Sequence, residues 1–342
     1  MGGKTIERTG MRLFLSTLLF LTGATLSVRA VNHEILVIVG AAGEEKYAEG
    51  FNEAAQAWVD AGEKAEAEIT VIGLEHDDDT SDKNKIKNWI QNLDTETAVP
   101  AWVVYIGHGT HNQRDAFLNL TGPDLSAGDM EVWLPEMKRT FVMVHGGSAG
   151  SAFLTSLTGR NRILISATRN PDEINYARFG EYFADVISSN EGDIDQDGQT
   201  SLLEAFLTTA NYVDAFYKGE ARLASEHSLI DDNGDKLGTP PDWFRGTRVT
   251  KRAKGGQEPD GFRAHQIALI PSELEKLLSP EQRIDRDGLE AELELLRKRK
   301  DQLDQDEYYE ALEVLLLQLS AIYLKTDADG NLLEPLVEEK GS

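Results

Sequence analysis

The 342-residue chain contains no cysteine. This absence excludes disulfides, lipid attachment through a thiol and a thiolate nucleophile together, because each of them needs a cysteine sulfur. Basic residues are few, since 34 Lys and Arg stand against 59 Asp and Glu and give a net charge of −25. This charge argues against nucleic acid as a partner, because its phosphates would be repelled. It is typical of a well-solvated surface and suits a protein that binds cations.

Long hydrophobic runs are also scarce, and the one that stands out lies at the amino end. Residues 1–30 combine a basic start, an apolar run over residues 13–26 and a small-residue cleavage site at Ala30, which together predict a secretory signal. The run is short for a bilayer span, so we expect an exported protein, secreted or periplasmic, with no stable membrane span after signal cleavage. The true start is Met1 or Met11.

What the sequence does contain is a regular alternation of short apolar strands with amphipathic helices. Alternation of this kind predicts βαβ units and a three-layer α/β fold with a mostly parallel central sheet and helices on both faces. The strands are expected near residues 35–39, 68–74, 102–107, 141–145 and 162–167.

Two of the expected strands end in small, polar, turn-prone clusters. The strand near 102–107 runs into a Gly-His-Gly cluster around His108, and the strand near 141–145 runs into a Gly-Gly-Ser cluster that contains Gly147 and Ser148. In open α/β sheets, ligands bind in the crevice beyond the carboxyl ends of the strands. These two clusters therefore form the candidate active site.

The two strand ends resemble those of the caspase-like cysteine peptidases, and most closely those of the legumain-like branch. The resemblance covers roughly residues 34–240 and rests on the order of strands and helices, the Gly-His-Gly cluster and a later Asp-rich loop. It implies a caspase-like sandwich in which His108 stands at the position of the catalytic His. The position of the nucleophilic Cys falls on Gly147, or on Ser148 if the turn shifts by one residue, and His145 replaces a Glu of the family. The resemblance therefore implies the fold without the family's chemistry.

An active hydrolase is an alternative that the residues leave open. Ser148 could act as a nucleophile if its hydroxyl lay within about 3 Å of His108 and gave its proton to that ring. No third member of a triad can be assigned among the acidic candidates, which are Asp115, Asp124 and Asp172. A metal held by His108, His145 and an acidic residue is a weaker alternative, because no ligand spacing supports it.

The most specific local motif lies in residues 193–204, which match the calcium-loop pattern D-x-D-x-D-G, five residues and Glu. Calcium prefers hard oxygen ligands, and this loop offers four carboxylates and a backbone carbonyl at the required spacing. The predicted calcium ligands are Asp193, Asp195, Asp197, the backbone carbonyl of Gln199, and Glu204. The alternative is a capping box in which Ser201 and Glu204 begin a helix, and both roles can hold together. A second acidic stretch, residues 231–235, is followed by Lys236 where the motif needs glycine, so it favours a turn, with a weak ion site as the alternative.

The composition changes after residue 270, where Leu, Glu, Lys and Arg dominate. Two apolar seams predict a helical hairpin that packs either on the α/β domain or on a second copy as a homodimer. The first seam consists of Leu289, Leu293 and Leu296, and the second of Tyr309, Leu312, Leu315, Leu316 and Leu319. We therefore divide the chain into a signal sequence (1–30), a caspase-like domain (31–270) and a hairpin with an acidic tail (271–342).

Three functions fit these patterns. The first is an exported pseudo-peptidase that binds calcium and uses its cleft or its hairpin to bind a peptide or protein ligand. The second is a serine-type hydrolase or peptidase that uses Ser148 and His108. The third is a calcium-stabilised structural or interaction protein. The missing cysteine favours the first, and the relation between Ser148 and His108 separates the first from the second.

Overall fold

The computed structural model describes residues 33–75, 79–326 and 332–335. The signal sequence that we predict at residues 1–30 lies outside the described residues, as does most of the acidic tail. Within the described ranges, no helix combines the length and the apolarity that a membrane span requires.

A six-stranded sheet forms the centre of the molecule, in the spatial order β2-β1-β3-β7-β8-β9. In chain order the strands are β1 (Glu34–Val39), β2 (Glu68–Ile72), β3 (Ala101–Ile106), β4 (Gly109–His111), β5 (Ala116–Leu118), β6 (Leu125–Ser126), β7 (Phe141–His145), β8 (Arg162–Ser166), β9 (Leu229–Asp231), β10 (Phe244–Arg245), β11 (Arg248–Val249), β12 (Leu324–Thr326) and β13 (Leu332–Pro335). The first five strands of the sheet are parallel, and β9 joins the edge antiparallel to β8. The predicted mostly parallel sheet is confirmed. β9 was not predicted, because three residues are too few to show the alternation of apolar and polar side chains that marks a strand.

Helices cover both faces of this sheet. In chain order they are α1 (Glu45–Lys64), α2 (Asp82–Gln91), α3 (Ala127–Trp133), α4 (Ser151–Leu157), α5 (Phe179–Ile187), α6 (Leu202–Gly219), α7 (Phe262–His265), α8 (Glu273–Leu277), α9 (Pro280–Lys298) and α10 (Gln305–Tyr323). One core lies between the sheet and α1, α5 and α6, where Trp58, Phe183 and Phe206 are buried. The other lies between the sheet and α2, α3 and α4, where Ile86 and Phe153 are buried. The predicted three-layer α/β class is confirmed.

The strands read as continuous apolar runs because both of their faces are covered. All six residues of β3 are buried, and alternate residues enter opposite cores: Trp102 and Val104 face α1, whereas Val103 and Tyr105 face the other layer. β3 pairs with β7 in parallel, with Tyr105 opposite His145. This register brings the loops after β3 and β7 side by side, although about forty residues separate them in sequence.

The predicted C-terminal helical hairpin is formed by α9 and α10 and has a small core of its own. Its buried side chains are Leu293, Leu296, Tyr308 and Leu315, with Leu289, Leu303, Ala311, Leu312 and Leu319 packed around them. The prediction that Tyr309 and Leu316 belong to the second seam is wrong, since their side chains are 50% and 47% exposed. The helix is apolar on two sides, so the sequence pattern did not define which side faces α9.

Candidate functional site at the carboxyl end of the sheet

The loops after β3 and β7 meet by direct backbone contact. A Cβ at Gly147 would lie 2.1 Å from the carbonyl oxygen of Gly107, and a Cβ at Gly109 would lie 2.0 Å from that of Ser148. Both distances are far below van der Waals contact, so neither position has room for a side chain. Gly147, the position at which we predict the nucleophile from the resemblance, therefore lies in direct backbone contact with the other loop.

Ser148 is buried, and its hydroxyl is hydrogen-bonded to the backbone of Gly109. The Gly109 N–H donates to Ser148 Oγ at 3.0 Å, and Ser148 Oγ donates to the Gly109 carbonyl at 3.3 Å. With 1% exposure, the side chain offers no surface to a substrate. These contacts join the two loops and give no support to a Ser148–His108 dyad, which stays a prediction.

Two backbone donors of the β7 turn, at Ala149 and Gly150, are also used inside the protein. The Ala149 N–H donates to the Glu173 carbonyl at 3.0 Å, and the Gly150 N–H donates to Thr168 Oγ1 at 2.8 Å. Ala149 adopts a left-handed conformation with φ of 58°, which is uncommon for a residue with a side chain. A turn that stabilises an oxyanion needs free N–H groups directed at the reacting oxygen. These two donors are not free.

His108 is half-buried among aromatic rings. Its ring centroid lies 4.7 Å from Tyr47, 5.3 Å from Phe51 and 5.7 Å from Tyr176, all in edge-on geometry. Burial lowers the pKa of His108, while a backbone hydrogen bond to Ala42 opposes this effect. Burial therefore favours the neutral imidazole, and aromatic rings contact it from α1 and from the segment before α5.

The three acidic candidates for a triad have local partners. Asp115 accepts from the Ala116 N–H and Asp124 accepts from the Leu120 N–H, which are turn contacts. Asp172 lies 3.5 Å from His111 at the surface.

A His–carboxylate pair near the turn was not predicted from the sequence: His227 Nδ1 and Glu173 Oε1 are 2.8 Å apart. The two residues are 54 positions apart in the chain, and neither stands in a recognisable motif.

His145 is buried at the end of β7 without a polar partner. Its ring packs between Tyr105 and Phe153, at 5.1 and 5.0 Å between centroids, and neither ring nitrogen has a hydrogen-bond partner among the described residues. Burial lowers its pKa to about 4. The ring is therefore an uncharged core residue, and His145 and His108 share no metal-like cluster within the described residues.

Two cavities lie at opposite ends of the sheet. A pocket of about 190 Å³ lies at the carboxyl ends of β1 and β2, between Val39, Ala42, Phe51 and Leu74. Drug-sized ligands generally occupy about 300–1,000 Å³. A larger cavity of about 930 Å³ lies at the opposite, amino end of the strands, lined by Lys138 and Arg162 among others. His108 lines neither of the two cavities.

The acidic loop before α6 is folded around its own backbone N–H groups. Asp193 accepts from the N–H groups of Asp197 and Gly198, at 3.1 and 3.0 Å, and Asp197 accepts from the Gln199 N–H at 3.1 Å. Gly198 has φ of 89°, as the sharp turn of the motif requires. Burial raises the pKa of Asp197, with the neighbouring Asp195 adding to this effect. A cation would relieve the repulsion among these carboxylates.

Glu204 is buried and forms the predicted capping box at the start of α6. Its Oε2 accepts from the N–H and the hydroxyl of Ser201, at 2.8 and 2.7 Å. Its Oε1 accepts from the N–H groups of Ile194 and Asp195, at 2.8 and 3.1 Å. The carboxylate therefore holds the loop against the helix, and direct ligation of a cation would exchange some of these hydrogen bonds for metal contacts.

A residue that the sequence did not reveal completes this cluster. His265 Nε2, from α7, lies 2.9 Å from Asp195 Oδ2. Two groups of side chains have ligand atoms close enough to hold one metal ion: Asp193, Asp195 and Asp197, and Asp195, Glu204 and His265. The segment after α7 also supports the loop, since Ile267 accepts from the Leu202 N–H at 2.6 Å and Ser272 donates its N–H to Gln199 Oε1 at 3.1 Å.

Similarity to known proteins is found among solved structures. No protein-family model and no curated protein matches the sequence. The chain is similar to the Drosophila initiator caspase Dronc, with a TM-score of 0.37 and 11% identity, over 68% of this chain and 93% of that chain. It is similar to a protein of Geobacter sulfurreducens with a TM-score of 0.37 and 10% identity, over 61% of this chain and 98% of that one. At these identities the similarity assigns no role to any residue.

The contact at Gly147 predicts the effect of adding a single methyl group there. We expect Gly147→Ala to destabilise the fold by about 3 kcal/mol or more, because its Cβ would meet backbone that cannot move aside. Gly288→Ala is the matched control: it lies inside α9 with no atom within 4 Å of the new Cβ, and should stabilise by about 0.5–1 kcal/mol. Urea unfolding of both variants measures the difference. Equal stability of Gly147→Ala and the wild type would contradict the backbone contact.

Burial of His145 predicts acid sensitivity. Its folded pKa of about 4 is below the unfolded value of 6.5, so the unfolded state takes up the proton first and stability falls as the pH drops from 6.5 towards 4. Relative to His145→Leu, the wild type should lose up to about 1.4 kcal/mol per pH unit in this window. The pKa of His33 is lowered to about 4 and that of Asp260 is raised to about 8, but both shifts occur in both proteins and cancel in the difference. If the unfolding free energies of the wild type and of His145→Leu changed in parallel with pH, the predicted acid sensitivity would be refuted.

Proposed function

We propose that this protein is an exported, calcium-binding pseudo-peptidase of legumain-like type that acts by binding rather than by catalysis. The observation that carries the proposal is the backbone contact between Gly147 and Gly107, at the position where the resemblance locates the nucleophile. A nucleophile needs both a reactive side chain and room for a substrate carbonyl beside it. Gly147 offers neither.

The surroundings of Gly147 support the loss of chemistry independently of its residue type. The Ser148 hydroxyl is bonded to Gly109, and the N–H groups of Ala149 and Gly150 donate to other residues. The ring of His108 packs against three aromatic rings. A nucleophile at Ser148, or an oxyanion site built on the N–H groups of Ala149 and Gly150, would require the hydrogen bonds of these groups to break.

The hairpin exposes several large apolar side chains, among them Leu295, Tyr309, Leu316 and Leu317. The pocket at the carboxyl ends of β1 and β2, at about 190 Å³, is smaller than the sites of drug-sized ligands. Large exposed apolar patches generally mark interaction sites. The proposal therefore assigns binding to the hairpin.

Calcium is the cation that we assign to the acidic loop. The motif of residues 193–204 supplies mainly carboxylate oxygens, and hard oxygen ligands suit calcium better than softer metals. Export, inferred from the sequence of residues 1–30, would place the loop where calcium is abundant, so that a site of about 10⁻⁴ M would be filled. A single loop without a paired second loop suits a structural ion.

The first test of this proposal is chemical. We expect no cleavage of peptides after Asn or Asp and no labelling by a fluorophosphonate, with or without Ca²⁺, as measured by intact mass. The Ser148→Ala variant should likewise show neither cleavage nor labelling. It should destabilise the fold by about 1–3 kcal/mol, because the Gly109 N–H and carbonyl lose their buried partner.

Activity that Ser148→Ala abolishes would overturn the pseudo-peptidase proposal and establish the serine-type hydrolase. Activity that survives in Ser148→Ala and disappears in His108→Ala would indicate a different nucleophile. Both variants need a melting curve first, so that loss of activity is not confused with loss of folding.

The second test concerns calcium. At 100 times its dissociation constant, an ion that binds the folded state adds about 2.7 kcal/mol, which should raise the melting temperature by about 5–10 °C relative to chelator. Glu204→Gln is the informative variant, because Gln retains the capping box and loses the charge of the carboxylate. It should fold in chelator and respond weakly to calcium.

The control for non-specific ion effects is Asp214→Asn, which lies on the exposed surface of α6 and is paired with Lys218. It should respond to calcium as the wild type does. Equal melting temperatures in calcium and in chelator for the wild type, together with no heat in calorimetry, would leave the loop with its capping role and remove calcium from the proposal.

A further inference from the structure

The segment that contains β10 and β11 is strongly basic, although the protein as a whole is acidic. Residues 244–254, which we name the basic ribbon, hold five of the 34 Lys and Arg of the chain and no Asp or Glu. All five basic residues of the ribbon are exposed: Arg245, Arg248, Lys251, Arg252 and Lys254. Positive charge is therefore concentrated on one exposed segment of a chain whose net charge is −25.

The paired strands of the basic ribbon have one apolar face and one cationic face. β10 and β11 are antiparallel, with Phe244 opposite Val249 and Arg245 opposite Arg248. Phe244 packs against the core that lies between the sheet and α1, α5 and α6, and Val249 is half-buried. Because successive side chains of a strand point to opposite faces, the two arginines share the face that is directed to solvent.

The turn of the ribbon sets the two arginines directly against each other. Gly246 and Thr247 join the strands, and Gly246 has φ of 58°, which suits the first central position of a two-residue hairpin turn. Like charges directly opposite one another on two strands are destabilising. Single charges are enough to protect a strand edge from aggregation, so that role does not require a facing pair. An anion bound between the two guanidinium groups would remove the repulsion.

The acidic residues next to the ribbon in the chain are already engaged. Asp242 pairs with Lys251 at 2.5 Å, and Glu258 pairs with Lys298 at 2.6 Å. Asp260 is buried and accepts hydrogen bonds from backbone N–H groups. Four basic residues of the ribbon have no ion-pair partner among the residues that the structure describes: Arg245, Arg248, Arg252 and Lys254.

We propose that the basic ribbon binds an acidic peptide segment of another protein, with Asp or Glu carboxylates of that segment paired to Arg245 and Arg248. The guanidinium group matches a carboxylate in bidentate geometry, and arginine clusters are a recurring means of recognising acidic motifs. Side chains on one side of an extended peptide recur about every 7 Å. Facing residues of antiparallel strands are about 4.5–5.5 Å apart, so two carboxylates of one peptide can reach both arginines. This proposal does not depend on the proposed function.

The charge of the rest of the protein disfavours larger anionic partners. Electrostatic interactions at physiological salt are screened beyond about 8 Å, so a short acidic peptide interacts mainly with the ribbon. A nucleic-acid duplex or an anionic membrane extends past the ribbon and meets a protein of net charge −25. Binding of single-stranded nucleic acid generally uses exposed aromatic rings on which bases stack. The aromatic ring of the ribbon, Phe244, packs against the core instead.

The main test is fluorescence anisotropy of a labelled peptide of eight glutamates, titrated with the full-length protein. We expect binding that weakens as salt is raised, because salt screens the attraction. The double variant Arg245→Gln/Arg248→Gln should weaken binding about tenfold or more. Lys64→Gln/Lys218→Gln is the matched control: it removes the same charge from exposed positions of α1 and α6 and should leave binding nearly unchanged. Equal losses in the two double variants, or no binding by the wild type at low salt, would overturn the proposal.

Melting curves separate recognition from a structural role of the arginines. Because glutamine removes the facing like charges, Arg245→Gln/Arg248→Gln should melt at or above the melting temperature of the wild type. A lower melting temperature would show that the arginines hold the fold, and would count against the proposal.

Two further ligands test the nature of the partner. A thymidine octanucleotide and vesicles of phosphatidylserine and phosphatidylcholine should bind more weakly than the glutamate peptide, and tighter binding of either would overturn the acidic peptide as the partner. The chain's own acidic tail is tested with Glu338→Gln/Glu339→Gln. Peptide binding that appeared only in this variant would identify the tail as the occupant and would also overturn the proposal.

Discussion

The direct backbone contact between the loops after β3 and β7 is the constraint on which the candidate site depends. The register of β3 against β7 places Gly107 beside Gly147 and Gly109 beside Ser148, with no side chain between them. Close approach of this kind is available to glycine alone. It joins the two strand ends firmly, but it also uses the space that a nucleophile and a substrate would occupy. Introducing a cysteine at position 147 would therefore require the loops to separate first.

The acidic loop illustrates how one carboxylate can serve two purposes. Glu204 caps α6 and accepts hydrogen bonds from the N–H groups of Ile194 and Asp195. In the calcium motif, the oxygens of this same carboxylate would also ligate the ion. The loop is thus ordered through hydrogen bonds among its own residues, and an ion would add to that order by removing repulsion. His265 and the segment that follows it connect this loop to the start of the hairpin, so the two functional parts of the proposal are neighbours in the fold.

The sequence predicted those features whose signal is local. Buried strands such as β3 are recognisable as short apolar runs, and the loop at 193–204 is recognisable because its ligands lie at fixed spacing in one segment. Features that need a distant partner were missed. His265 meets Asp195 from 70 residues away, and the rings around His108 come from α1 and from the segment before α5. In the predicted seam of α10, Leu312, Leu315 and Leu319 do pack in the hairpin core, whereas Tyr309 and Leu316 were misassigned because the helix is apolar on two sides.

The turn at Ala149 combines backbone strain with internal hydrogen bonding. A left-handed residue with a side chain persists when its surroundings hold it, and such residues cluster at functional sites. Here the strain is kept while the neighbouring donors serve the protein itself: the Ala149 N–H binds the Glu173 carbonyl and the Gly150 N–H binds Thr168. These contacts hold the segment after β8 against the turn, so the strained backbone at Ala149 is part of the packing between the two segments.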